Sequence, residues 1–146
     1  MSVTAKAYSH MPLAALEKLM DLGTGNDVIK CMLCTSTYTP SQDNHDFKDD
    51  VTNEVTGEGY TTGGATVTSS AVTISGRVTK FDGADVEWTT STITARYAVL
   101  YDSTPGSDAT NPLLIYVDFG EDKSSEAGTF KIAWNASGIF TVTVSA

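Results

Sequence analysis

The chain has 146 residues, of which 40% are hydrophobic and 18% are charged, and its formal net charge is −9. This length suits one domain with a buried core of its own. The acidic balance argues against a nucleic-acid partner, which requires a basic surface, and against an anionic membrane surface. Threonine is abundant, and together with valine, isoleucine and the aromatic residues it favours β structure.

The first ten residues predict an extended N-terminal arm. Small apolar residues alternate with polar ones there, which is typical of a short strand. The arm has no apolar run of the length found in a signal peptide, and no segment reaches the length of a transmembrane span. We therefore expect a protein that is made in the cytoplasm without a cleaved leader.

A helix is predicted over residues 12–22. Pro12 suits the first turn of a helix, and Gly23 suits the position just past its end. The apolar stripe of such a helix would pack against the rest of the domain. That stripe comprises Leu13, Leu16 and Met20, with Leu19 at its border.

A strand is predicted over residues 27–33, with apolar side chains on both faces, and it runs on through the sequence Cys31-Met-Leu-Cys34. Residues three apart in a strand point to opposite faces, which does not suit a redox pair. A zinc site would need two further ligands, for which only His10 and His45 are available. We therefore predict two reduced cysteines with a structural role, and no metal or cofactor.

Residues 41–59 predict a long, ordered and acidic surface loop. Phe47 and Val51 lie four residues apart, so one helical turn could anchor this loop to the core. Calcium binding stays open, because Ca²⁺ prefers several carboxylates on a flexible loop, but the spacing does not match an EF-hand. The carboxylates are Asp43, Asp46, Asp49, Asp50, Glu54 and Glu58.

Residues 92–102 predict the central strand of the fold. Apolar residues occur on both of its faces, which is typical of a strand buried on both sides. Arg96 interrupts the pattern, and its charge must reach solvent or pair with a carboxylate. Strict alternation would place Ile93, Ala95, Tyr97, Val99 and Tyr101 on one face.

The remaining pattern predicts strands of similar length separated by turns. Asp82-Gly83 favours a tight hairpin, and residues 103–111 and 120–128 predict polar loops. About eight strands at regular spacing indicate a mainly β protein, a single antiparallel β-sandwich of jelly-roll-like type over residues 27–146. Its predicted core includes Trp88, Tyr97, Val99, Ile115, Val117, Ile132, Trp134, Phe140 and Val142.

No arrangement of Ser or Cys with His and a carboxylate is apparent in the sequence, so no catalytic residue is predicted. Three stretches carry a resemblance instead: residues 34–64, residues 91–102, and residues 116–125 together with Trp134-Asn-Ala-Ser-Gly-Ile-Phe. On these stretches the chain resembles a family of small virion structural proteins of tailed bacteriophages. The resemblance implies a structural role and no catalytic residues.

From that resemblance we expect a capsid decoration (cement) protein on the outer surface of the assembled head. Its partners would be other virion proteins, above all the major capsid protein, and itself as a weak trimer, but neither nucleic acid nor a membrane. The alternatives are a tail-associated protein (tube, tip or fibre-attached sandwich) and a carbohydrate-binding or hydrolytic module.

A protein that tiles a shell needs segments that reach its neighbours. The sequence offers three such segments: the arm 2–10, the acidic loop 41–59 and the loop 103–111. The candidate assembly contacts are Ser2, Val3, Tyr8, His10, Asp46, Asp49, Asp50 and Asp108.

Overall fold

The computed structural model describes residues 2–146 and confirms a mainly β protein, with 46% of the chain in strands and 6% in helix. Within these residues, no helix has the length and apolar character that crossing a membrane requires. The elements are β1 (Thr4–Ala7), α1 (Met11–Leu16), β2 (Ile29–Cys34), a 3-10 turn (Lys48–Asp50), β3 (Ala65–Thr66), β4 (Ala71–Ser75), β5 (Val78–Asp82), β6 (Val86–Asp102), β7 (Leu113–Ile132) and β8 (Phe140–Thr143).

The strands form two antiparallel sheets, as predicted for a β-sandwich-like fold. The larger sheet has the order β1-β7-β6-β2-β3 and the smaller one has the order β4-β5-β8. Strands β6 and β7, of 17 and 20 residues, form a long hairpin at the centre of the larger sheet. Phe81 of β5 is 2% exposed and belongs to the main buried cluster, so the smaller sheet packs onto the larger one through its aromatic end.

The prediction of a polar loop over residues 120–128 is wrong. These residues continue β7 and pair with the first half of β6. A hydroxyl pair between Thr94 and Ser124, 2.8 Å apart, bridges the two strands there. A run of polar side chains in an exposed pair of strands resembles a loop in the sequence. Most of these residues are exposed, so no alternation of apolar and polar residues marks the strand.

A β-bulge at Arg96 divides the faces of the central strand. Between Ala95 and Tyr97 the pairing partner on β7 shifts from Lys123 to Asp118, so β7 carries the extra residues of this bulge, and the side-chain alternation of β6 reverses there. The predicted single face is therefore wrong: Ile93 and Ala95 lie in the main core, whereas Tyr97, Val99 and Tyr101 lie on the opposite face. Arg96 pairs with Asp118 at 2.7 Å, as its charge required.

Helix α1 is shorter than the predicted span of 12–22 and turns another face to the core. It ends at Leu16, because Lys18 adopts a φ of +60° and the Leu19 N–H donates to the Ala14 carbonyl at 2.8 Å. The predicted leucine stripe is thus exposed: Leu13, Leu16 and Leu19 are 48%, 84% and 42% exposed, while Met11, Ala14 and Met20 are buried.

Asp82-Gly83 does not form a hairpin. The chain passes there from β5 in the smaller sheet to β6 in the larger one, and these two strands are not paired. The tight hairpin lies earlier, where Ser75 pairs with Val78 across the Gly76-Arg77 turn.

Most of the predicted core is confirmed. Trp88, Val99, Ile115, Val117 and Ile132 are buried, and Tyr97, Trp134 and Phe140 are half-buried. Val142 is 55% exposed, because β8 lies at an edge and runs beyond the aromatic contact that holds the smaller sheet.

Candidate functional site

The N-terminal strand is fixed to the acidic loop rather than free. The backbone N–H of Ser9 donates to the Gln42 carbonyl at 2.9 Å, and the Ser9 hydroxyl donates to the Asp43 carboxylate at 2.6 Å. The Gln42 side chain in turn donates to the Ala7 carbonyl at 2.9 Å. The short strand expected in the first ten residues is therefore observed, since residues 4–7 form the edge strand β1, and the residues after it join the loop.

The acidic loop is fixed on its other side to the loop 103–111. The Lys48 N–H donates to the Asn111 carbonyl at 2.9 Å, and the Asp49 N–H donates to the Asp108 carbonyl at 3.1 Å. The Lys48 ammonium also lies 2.9 Å from the Asp108 carboxylate. The three predicted assembly elements thus meet at one place, which we call the acidic surface: Ser9, residues 41–50 and Asp108.

The acidic loop holds its own shape through Asp50. Its carboxylate accepts the N–H groups of Asp46 and Phe47, at 2.8 Å and 3.2 Å, and so orders the turn before residues 48–50. The predicted anchors are observed, because Phe47 contacts the His10 ring with centroids 5.1 Å apart and Val51 packs on the buried tyrosine cluster. Asp50 therefore orders the loop through its Oδ2 atom.

The charge of the acidic surface is strongly negative. Lys48 is the one lysine of this surface, and its side chain is only 12% exposed and lies 5.5 Å from the centre of the Tyr101 ring. Asp43 and Asp49 are exposed and Asp46 is half-exposed, and the Asp108 side chain is 61% exposed. Such a surface presents carboxylates on a rigid backbone and suits a basic partner.

The remaining candidate contacts do not join this surface. Tyr8 is 0% exposed, so its prediction as an assembly contact is wrong: it lies in the tyrosine cluster with Tyr38 and Tyr116. Ser2 and Val3 are exposed, but they lie at the other end of β1, where Thr4 pairs with Asp118.

An apolar groove of about 520 Å³ was not predicted from the sequence. Val3 of the arm, Phe119 and Phe130 of β7, and Trp134 line it together with the turn before β8. At its rim, Lys131 pairs with two carboxylates, and the Trp134 indole N–H donates to a backbone carbonyl at 3.1 Å. Its walls come from segments more than a hundred residues apart, so no local pattern could indicate it.

A buried carboxylic acid at the end of β6 was also missed. Asp102 is 0% exposed, and its Oδ1 accepts the Thr104 N–H at 2.8 Å, while Oδ2 has no hydrogen-bond partner among the residues that the structure describes. Burial, reinforced by the neighbouring Asp27, raises the pKa of Asp102 to about 6. An aspartate directly after a long buried run was the one signal for it in the sequence.

The two cysteines are free and buried on opposite faces of the larger sheet, as predicted. Burial raises the pKa of both thiols, that of Cys34 to about 12, so neither is a ready nucleophile at neutral pH. Across residues 2–146, no group of three or more His, Cys, Asp or Glu side chains is arranged to hold a metal ion.

Comparisons of this chain with protein-family models, curated proteins and solved structures found no match. Its function is therefore inferred from its own sequence and geometry.

Proposed function

We propose that this protein is a bacteriophage virion structural protein that decorates and stabilises the outer face of the assembled head. The observation that carries the proposal is the convergence of three separately predicted assembly elements into one rigid acidic surface. The sequence resemblance supports a place in the virion, and the acidic surface offers a site through which the protein could attach to the head.

In this proposal the carboxylates of Asp43, Asp46 and Asp49 face a basic part of the major capsid protein. A contact made through one short loop is weak by itself, because interfaces below about 1,200 Å² are mostly transient. Repetition over a symmetric shell, with weak self-association into trimers, makes many such contacts cumulative. Because the loop is ordered by its own hydrogen bonds, little conformational entropy is lost when it binds.

Particle binding tests this proposal. Purified protein is mixed with heads that lack it, and the bound copies are counted by quantitative mass spectrometry. We expect hundreds of copies per head, and about tenfold weaker binding for the double variant Asp46→Lys, Asp49→Lys. Glu126→Lys is the matched control, because Glu126 is exposed on β7 outside the acidic surface.

Two results would end the decoration proposal. Equal binding of the double variant and the control would show that the acidic surface is not the attachment site. Protein that binds only to tails would replace decoration by the tail-associated alternative.

A second candidate function, a carbohydrate-binding module, is favoured by the apolar groove beside Trp134. Sugars stack on aromatic faces, and a groove of about 520 Å³ has the size of a small-molecule site. Binding to a glycan array that is lost on Trp134→Ala would support this candidate, and an array without any binding would remove it.

A further inference from the structure

Three side chains, joined by hydrogen bonds into a chain, connect the core to the acidic surface. The hydroxyl oxygens of Tyr8 and Tyr38 lie 3.0 Å apart, and the Tyr38 hydroxyl lies 2.9 Å from His45 Nδ1. Tyr8 and Tyr38 are 0% and 1% exposed, whereas His45 is half-exposed. Protonation of His45 from solvent therefore changes the hydrogen bonds of two tyrosines inside the protein.

The backbone of Ser41 sets the direction of every hydrogen bond in this chain. Its N–H lies 3.3 Å from His45 Nδ1, and a backbone N–H can only donate. Nδ1 is therefore an acceptor, and the neutral ring carries its proton on Nε2. Because Nδ1 accepts, the Tyr38 hydroxyl donates to it, and the Tyr8 hydroxyl donates to Tyr38.

The turn at residues 41–45, which we call the clasp, also holds the N-terminal segment. The His45 N–H donates to the Ser41 carbonyl at 3.1 Å, which closes the turn. Gln42 in this turn accepts from the Ser9 N–H and donates to the Ala7 carbonyl, both at 2.9 Å. Loosening the clasp would release the attachment between residues 7–9 and the acidic loop.

We propose that protonation of His45 opens the clasp, which makes it an acid-sensitive attachment of the N-terminal strand. A proton on Nδ1 removes the acceptor of the Ser41 N–H. Tyr38 must then accept from Nδ1, so its own hydroxyl hydrogen loses its acceptor unless it turns to Tyr8, and in that case the hydroxyl hydrogen of Tyr8 loses its acceptor; both hydroxyls are buried. Because a buried donor without an acceptor is costly, acid favours the open clasp.

Several ionisable groups lie around these three side chains. Burial, with Cys34 and Asp50 as lesser causes, raises the pKa of Tyr38 to about 12, and burial with Asp118 and then Asp43 raises that of Tyr116. The titratable and charged groups are Asp43, Asp46, Asp50 and Lys48 on the acidic loop, Cys34 on β2, Tyr116 on β7, and His10 before α1.

Hydrogen–deuterium exchange of the whole protein tests this inference independently of any virion role. Exchange is measured at about pH 8 and about pH 5, the range in which histidine titrates, and corrected for the intrinsic rates. We expect the amides of Ser9 and Ser41 to lose protection at least about tenfold in acid. His45→Asn should abolish this loss, because the Asn Oδ1 can accept at the position of Nδ1 but does not titrate.

His10→Asn is the matched control and should respond to acid as the wild type does, because the His10 side chain takes no part in the hydrogen bonds that join Tyr8, Tyr38 and His45. An equal loss of protection in His45→Asn, or no loss in the wild type, would overturn the inference. Nitrogen NMR of the wild-type ring at neutral pH gives a check that needs no variant: a proton on Nε2 is expected, and a proton on Nδ1 would contradict the assigned direction.

Discussion

Replacing Asp102 by Asn should stabilise the protein at neutral pH. Asp102 is fully buried, and burial with the nearby Asp27 raises its pKa from 3.8 to about 6. The folded state therefore holds the proton more tightly than the unfolded chain does. The stabilisation from this group is complete below pH 4 and is lost as the pH rises through about 6.

The size of the effect follows from the two pKa values. A tenfold change in proton affinity corresponds to about 1.4 kcal/mol, so ionising Asp102 in the folded protein costs about 3 kcal/mol. Asn avoids this cost and keeps the shape, because its Oδ1 can still accept from the Thr104 N–H, and its Nδ2 replaces an oxygen that already has no hydrogen-bond partner among the described residues.

Chemical denaturation at about pH 4, 6 and 8 measures the difference in the free energy of unfolding between Asp102→Asn and the wild type. We expect nearly equal stability in acid and a gain that grows to about 3 kcal/mol at the highest pH. Asp122→Asn, a change at an exposed position, is the control and should show no such trend. A variant that is less stable at all three pH values would refute the reasoning.

Three further substitutions test the packing, each followed by thermal and chemical denaturation. Val99→Asp places an unpaired charge at a 0% exposed position and should cost more than about 4 kcal/mol; melting within a few degrees of the wild type would mean that β6 is misassigned. Gly64→Ala should cost at least about 2 kcal/mol, because φ is +81° and a Cβ would overlap the Cys31 carbonyl oxygen. Leu16→Ser should change the free energy of unfolding by less than about 0.5 kcal/mol. A large loss of stability would show that Leu16 packs against the domain, as the sequence predicted.

The parts of the fold that the sequence predicted are those with local patterns. Residues 97–101 are apolar on both faces, and they do form part of a strand at the centre of the larger sheet. The opposite placement of Cys31 and Cys34 follows from strand geometry alone. Loop 103–111 was visible because it consists of turn-forming residues.

The missed parts depend on residues far apart in the chain. The bulge of β7 opposite Arg96 arises in the pairing of β6 with β7, where Arg96 also pairs with Asp118. The strand at residues 120–128 exists because polar hydroxyls pair across that hairpin. The acidic surface could be predicted as three separate segments but not as one surface, because contacts such as Lys48 with Asp108 have no local signature.

Locating the protein in a cryo-EM reconstruction of the virion tests the central claim most directly. We expect many copies on the outer face of the head, each with residues 41–50 and Asp108 turned towards the capsid protein. A reconstruction with the protein only on the tail, or attached to the head through another face while the acidic surface points to solvent, would contradict it.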